Sequence, residues 1–380
     1  MSEIPLSDVP VVAKGMCASW PACKLWNLDY LDSKLDCPLK FRLGKRAVRN
    51  IQWETKCPVV FASVSQFRDW TSGCADQRNP LSPYHFESWW AYADYIHMTP
   101  GSDVENLKTD LEFPQTFGIV DPSLIPTFWL ASSGAYSICH YDTYGINLVV
   151  QVSGQKKWTL FPSFDEPNLY STRLPFEEST VFSQVNFPEP DLSKYPLVFK
   201  TSPHCVLLNP GDVLFVPRGW WHFVQSTELS TVTCSVNLWL DEPELDDSCR
   251  LREALTQFAA FSLLSNTNLD KNELLHSDEN DLYNSGDWSS VLLQNIKDLA
   301  GKTQSDIPTR FERKKVKRSN SLWSPVIKCK FEECFSDSVH TQKEPKSKRT
   351  KVLDNKAILN AFLKADVLDL VARHLERQFF

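Results

Sequence analysis

The 380-residue chain is 42% hydrophobic and 23% charged and carries 13 Trp, a balance that excludes a disordered chain and allows one large domain or two smaller ones. Its net charge of −7 hides an asymmetry: residues 308–351 hold 13 Lys/Arg against 5 Asp/Glu, a net of +8 that leaves −15 for a main body too acidic to coat nucleic acid. No apolar run approaches the roughly 20 residues that span a bilayer, Met1-Ser-Glu-Ile-Pro does not read as a secretory leader, and 11 scattered Cys read as reduced thiols, so we expect a cytoplasmic or nuclear protein.

Taken in chain order, Trp20-Pro-Ala-Cys-Lys-Leu-Trp-Asn-Leu-Asp-Tyr-Leu suggests one short helix with Trp26 and Leu31 toward a core. Lys40–Gly44 and Pro58–Ala62 read as strands, and Ser63–Trp70 as a helix with Val64, Phe67 and Trp70 at helical spacing. The aromatic run Trp89–Tyr95 suits a strand. From Phe128 to Leu240 short β-branched or aromatic runs dominate: Phe128–Leu130, Asn147–Val152, Lys157–Phe161, Cys205–Leu208, Asp212–Val216, His222–Gln225 and Val232–Leu240. Turn signals at Ser153-Gly, Asn209-Pro-Gly-Asp and Arg218-Gly separate them, and residues 162–200 form a Pro-punctuated insertion. Many short strands without intervening helices predict a mainly β protein with flanking helices, its core a sandwich or jelly roll.

Beyond Asp241 the pattern turns helical. Asp247 or Ser248 reads as the cap of a helix to about Leu264 with Leu251, Leu255, Phe258, Ala259 and Leu263 on one face, and residues 289–300 read as another. The expected organisation is an N-terminal α/β extension of the core (1–85), a strand-rich domain (86–250), a helical region (251–302), a basic segment without packed structure (303–352) and an amphipathic C-terminal helix (353–380). That last helix either packs on the domain's own helices or serves a homodimer or partner groove. Arg313-Lys-Lys-Val-Lys-Arg318 and Lys346-Ser-Lys-Arg-Thr-Lys351 read equally as solvated charge runs or as nuclear-localisation patches. Cys329 and Cys334 have no Cys/His pair nearby in sequence, so zinc is not expected there.

The chemistry is concentrated in few residues. A His-x-Asp on a strand aims an imidazole and a carboxylate at one side. A second histidine would complete the two-His, one-carboxylate triad of non-haem Fe(II) oxygenases. The chain has four His-x-Asp/Glu spacings, at His85, His140, His276 and His374, where composition alone gives about one. His140-Tyr-Asp142 stands apart because it follows an apolar strand and a small-residue turn and precedes a further strand pair. Taken alone, a buried Asp-His pair is a structural contact in a minority of cases, whereas a lone His222 is more often a satisfied core histidine and Lys156 more often a solvated hairpin lysine.

Gly134-Ala-Tyr-Ser-Ile-Cys-His140-Tyr-Asp142, Asn147 through Pro162, Asn209-Pro-Gly-Asp-Val-Leu-Phe-Val-Pro217, Trp220-Trp-His222 and Ser235-Val-Asn237-Leu-Trp239 occur in one order. That combination resembles the JmjC family of Fe(II)- and 2-oxoglutarate-dependent oxygenases over about residues 86–245. The resemblance implies a double-stranded β-helix (jelly roll, cupin-like) core. It implies iron on His140, Asp142 and His222, the distal carboxylate of 2-oxoglutarate on Lys156, Ser137 and Tyr92, and Asn147 and Asn237 near its chelating end. Trp90–Tyr95, Asp142–Gly154 and Leu169–Ser183 resemble a branch of the family linked to a small heat-shock protein, implying such a partner and a role in the stress response. With no chromatin-reading module evident, hydroxylation of a protein substrate is the leading expectation over demethylation. A JmjC fold kept as a chaperone-binding module and an RNA-modifying hydroxylase recruited by the basic tail are the alternatives.

Overall fold

A computed structural model describes residues 4–5, 7–173, 180–227, 231–264 and 322–335. The expected helices at 289–300 and 353–380, both basic patches, and the 303–321 and 336–352 parts of the basic segment lie outside these residues.

Eight strands form the core: β5 (Thr127–Ser132), β6 (Tyr136–Asp142), β7 (Ile146–Ser153), β8 (Lys156–Phe161), β11 (His204–Leu208), β12 (Val213–Val216), β13 (Trp221–Ser226) and β14 (Val232–Leu240). They divide between two antiparallel sheets, β12-β7-β14-β5 in one and β11-β8-β13-β6 in the other. Successive hairpins therefore cross from sheet to sheet, which is the double-stranded β-helix expected from the sequence. The first sheet is widened by β1 (Val11–Ala13), β2 (Leu39–Lys45), β3 (Val59–Ala62) and β4 (Trp89–His97), and β15 (Trp323–Pro325) pairs with β1. The second gains β9 (Ser171–Thr172) and β10 (Thr180–Ser183) beside β6, and β16 (Ile327–Lys328) beside β11.

Strand alternation sorts the apolar residues into layers. Leu148, Val150 and Val152 of β7 face outward and join Phe41, Phe128, Val236 and Leu238 in the largest core. That core is capped by α1 (Pro21–Leu25), α2 (Leu28–Lys34), α3 (Val64–Thr71) and α4 (Phe113–Phe117). Val149, Trp158, Leu160, Leu214 and Val224 face the space between the sheets. Phe161, Trp221 and Phe223 face out from the second sheet, covered by the 162–200 insertion and by α6 (Phe331–Cys334).

Several expected elements differ in detail. The single helix over Trp20–Leu31 is two, because Trp26 leaves helical geometry and the Asn27 side chain accepts from the Tyr30 N–H at 2.8 Å, capping a new helix. Trp26 and Leu31 are buried as expected, and Trp26 Nε1 and the Tyr30 hydroxyl both donate to Asp110 at 2.8 Å. Ser63 and Gln66 form a full capping box on α3. The helix expected from Asp247 or Ser248 is α5, which runs Pro243–Leu264 and starts earlier, with Pro, fixed near helical φ, in its first turn. The insertion contributes β10, which pairs Phe182 with His140. Within 303–352, residues 322–335 depart from the unpacked segment expected there: they form β15, β16 and α6 against the core.

The hairpin from β7 to β8 depends on Gly154, at φ +64, where an added Cβ would stand 2.3 Å from the Val232 carbonyl oxygen. Gly73, at φ +73, has nothing within 4 Å. Gly73→Ala should cost only the left-handed penalty of about 1–2 kcal/mol. Gly154→Ala adds a backbone clash and should lower stability clearly more in urea unfolding; equal losses would contradict this account of the hairpin.

Candidate metal centre and co-substrate cradle

The antiparallel register of β6 and β13 sets His140 directly opposite His222. Their rings lie 4.2 Å apart at the centroids, and His140 Nε2 is 3.8 Å from Asp142 Oδ1. One donor atom from each of His140, Asp142 and His222 lies within 4.8 Å of the other two. Both histidines are buried; Asp142, at the end of β6, is only partly so. Among the described residues no other His-x-Asp/Glu spacing joins such a group, and those at His276 and His374 fall outside them.

Each imidazole is oriented from behind. His140 Nδ1 lies 2.7 Å from the Ile138 carbonyl oxygen and His222 Nδ1 lies 3.0 Å from that of Trp220. A carbonyl only accepts, so both Nδ1 atoms carry the hydrogen and both Nε2 lone pairs point into the cavity. This backbone support is the arrangement that metal-ligating histidines use. Burial, and then the neighbouring His140, lowers the His222 pKa to about 4, so the ring is neutral at physiological pH. Trp239 Nε1 donates to Asp142 Oδ2 at 3.3 Å, leaving the other carboxylate oxygen toward the histidines. Two Nε2 donors and one carboxylate fit a divalent iron with open positions.

Lys156 does not match the solvated hairpin lysine that spacing alone allowed: it is 3% exposed. Its Nζ donates to Ser235 Oγ at 2.8 Å and to the Tyr92 hydroxyl at 3.2 Å, and lies over the Tyr92 ring at 5.0 Å. Among the described residues no carboxylate forms an ion pair with it. Burial lowers the amine to about 8, opposed by the nearby Cys234 and Asp94. The Tyr92 phenol is pushed up by burial and then by Asp94, so it keeps its O–H. A buried cation with two hydroxyl neighbours is a cradle for an anion.

Ser137 joins the same cavity, although three residues from His140 it should alternate to the other face. A β-bulge resolves this: β13 pairs His222 with His140 but Val224 with Ser137, so one extra residue of β6 returns Ser137 to the inner side. Asn237 Nδ2 donates to Asn147 Oδ1 at 2.9 Å and Trp129 Nε1 donates to Asn237 Oδ1 at 2.7 Å, on the inner faces of β7, β14 and β5. All eight residues expected from the sequence line one cavity of about 420 Å³.

Sequence reasoning missed Ser235, Trp129, Trp158 and Tyr95. Ser235 was legible in principle, because it stands two before Asn237 on one strand and so shares its face. Tyr95 was not: a bulge between Ala93 and Ile96 holds it at φ 54, with its ring 4.7 Å from Trp129 at the cavity wall. Such strain in a non-glycine residue is characteristic of functional sites.

The sequence pattern of the family described as "Cupin-like domain" matches residues 1–246. HSPB1-associated protein 1 homolog of Danio rerio is 37% identical over 328 residues, covering 83% of this chain and 71% of its own. HSPB1-associated protein 1 of Homo sapiens is 40% identical over 258 residues, 67% of this chain and 52% of its own. Lysine-specific demethylase JMJ31 of Arabidopsis thaliana is 30% identical over 301 residues, 70% and 53% respectively. The chain thus spans about half the length of the human and Arabidopsis relatives. The family match, the double-stranded β-helix and the relatives agree: this chain belongs to the cupin-like JmjC-domain family.

Proposed function

We propose that this protein is an iron(II)- and 2-oxoglutarate-dependent oxygenase that hydroxylates a protein substrate. The observation that carries the reading is one cavity holding two histidines whose Nε2 atoms converge with a carboxylate, and a buried lysine that has no carboxylate partner among the described residues. His140, Asp142 and His222 would hold the iron, and Lys156, Tyr92 and Ser137 the distal carboxylate of 2-oxoglutarate. When bound, the metal and co-substrate couple oxidative decarboxylation to insertion of one oxygen atom of O2 into a substrate C–H bond, with succinate and CO2 as the other products.

The protein's own part is placement. The Ile138 and Trp220 carbonyls fix both imidazoles, Lys156 and Tyr92 orient the oxo acid from its far end, and Asn147 and Asn237 offer amides beside it. The aromatic wall of Tyr95, Trp129 and Trp239 excludes water around the reacting carbon. The names of the zebrafish and human relatives support a small heat-shock protein as partner or substrate here too. Demethylation would use the same machinery on an N-methyl group, and its product tells it apart: formaldehyde is released, whereas a hydroxylase leaves the oxygen on the substrate.

Asp142→Ala and His140→Ala should each lower 2-oxoglutarate decarboxylation in the presence of cell extract by at least about 100-fold, since even outer-shell changes cost 10–100-fold. Mass spectrometry of wild-type reactions should find oxidised protein targets absent from the variants. Undiminished iron-dependent turnover in His140→Ala would sink the ligand set, and wild-type protein without turnover that still captures a small heat-shock protein would support the binding-module alternative.

Lys156→Met should raise the KM for 2-oxoglutarate about 10- to 100-fold, the worth of a charge-assisted hydrogen bond. Because the free amine titrates near 8, it loses its charge as pH rises, and wild-type affinity for 2-oxoglutarate should fall above pH 8. Lys156→Met should lack that fall; an identical pH profile would remove Lys156 from the cradle.

A further inference from the structure

Behind the second sheet lies a group that the oxygenase reading does not use. Cys205 is the second residue of β11, Cys329 follows β16 and Cys334 ends α6. The fold brings them together: Cys334 Sγ is 2.6 Å from Cys205 Sγ and 2.9 Å from Cys329 Sγ, and all three lie within 4.8 Å of one another. Cys329 and Cys334 have no matching Cys/His pair nearby in sequence, which is why zinc was not expected there; the third sulfur comes from a strand more than a hundred residues earlier in the chain.

The cluster stands apart from the iron-type centre. Cys205 pairs with Thr159, whose side chain faces away from the cavity, whereas its neighbours Trp158 and Leu160 face inward. The adjacent lysines divide in the same way: Lys156 enters the cavity, while Lys157 turns outward, donating to the Cys334 carbonyl and lying 6.0 Å over the Phe335 ring. Phe187, Phe223, Phe331 and Phe335 surround the sulfurs in the outer core.

We propose that Cys205, Cys329 and Cys334 form a zinc site that clips residues 322–335 onto the second sheet. Three sulfurs converging on one point suit a thiophilic ion, with a fourth position left for a water or another donor. A disulfide would use two of the three and would need an oxidant. Three thiolates around a dication carry one net negative charge, which Lys157 offsets.

The clip has a mechanical reason. β16 meets β11 over only two residue pairs, His204 with Lys328 and Cys205 with Ile327, and Ile327 is 77% exposed. So short a ladder holds little by itself. Metal binding supplies folding free energy directly and would fasten the segment with ligands from both sides of that junction.

The test uses the full chain, purified under reducing conditions and stripped of metal. Cobalt(II) added as a zinc probe should give a sulfur-to-cobalt charge-transfer band, which the His/Asp centre cannot produce, and zinc should displace it. Cys329→Ser should lose the band, and in a His140→Ala background, which removes the cavity centre, zinc should raise the thermal midpoint with or without the control Cys74→Ser but not with Cys329→Ser. If Cys329→Ser does not fold, zinc retained by His140→Ala and released on titration with a mercurial carries the same information. No thiolate band in folded wild-type protein, a band that survives in Cys329→Ser, or a disulfide among the three in the intact mass would overturn the proposal. None of these outcomes bears on the cavity centre, whose ligands are separate.

Discussion

The register between β6 and β13 is the constraint on which the centre depends. It places His140 opposite His222, and because side chains alternate, a slip of one residue would turn one imidazole out of the cavity. Several features hold that register. β8 flanks β13 on its other side, β10 flanks β6, and the Gly219 N–H donates to the Asp142 carbonyl at 3.3 Å. Asp246 of α5, 1% exposed, accepts from the Gly145 N–H at 3.0 Å and from the Glu242 N–H at 2.6 Å and lies 3.6 Å from Arg218. One buried carboxylate thereby joins the turn after Asp142, the turn before His222 and the start of the helix.

The same logic explains why the insertion is bound closely to the core. β10 completes the open side of β6, and Arg173 forms a two-pronged ion pair with Glu253 of α5, at 2.6 and 2.9 Å. Both charges are buried, so each would be costly without the other. Arg173 lies in the stretch whose resemblance to the heat-shock-linked branch was noted from sequence. Its role here is architectural: it anchors the insertion that backs the His140 strand.

What the sequence made legible follows from local physics. Short β-branched and aromatic runs bounded by turn signals located every core strand except β6 as a named element, and there the His-x-Asp spacing itself implied a strand. The helical spacing of Val64, Phe67 and Trp70 marked a helix start to within a residue. The eight site residues came from motif order rather than periodicity, and they share one cavity. What was hidden was non-local. Bulges in β6 and β4 decide that Ser137 and Tyr95 face inward, and no pattern in those segments announces them. Asn27 divides one apparent helix because a side-chain cap outcompetes continuation. Cys205 meets Cys329 and Cys334 only because β16 adds to β11, a pairing of two residues set in a charged, Ser-rich stretch.

The central claim is that the triad and Lys156 form one coupled site, the metal chelating one end of 2-oxoglutarate and the lysine holding the other. Calorimetric titration of 2-oxoglutarate into metal-free protein, with and without Mn(II) as an inert substitute for iron, tests it most directly. The account predicts binding that strengthens sharply with Mn(II) in wild type, is weakened in Lys156→Met and is indifferent to Mn(II) in Asp142→Ala. Binding that ignores Mn(II) in wild-type protein, or no binding at all, would contradict it.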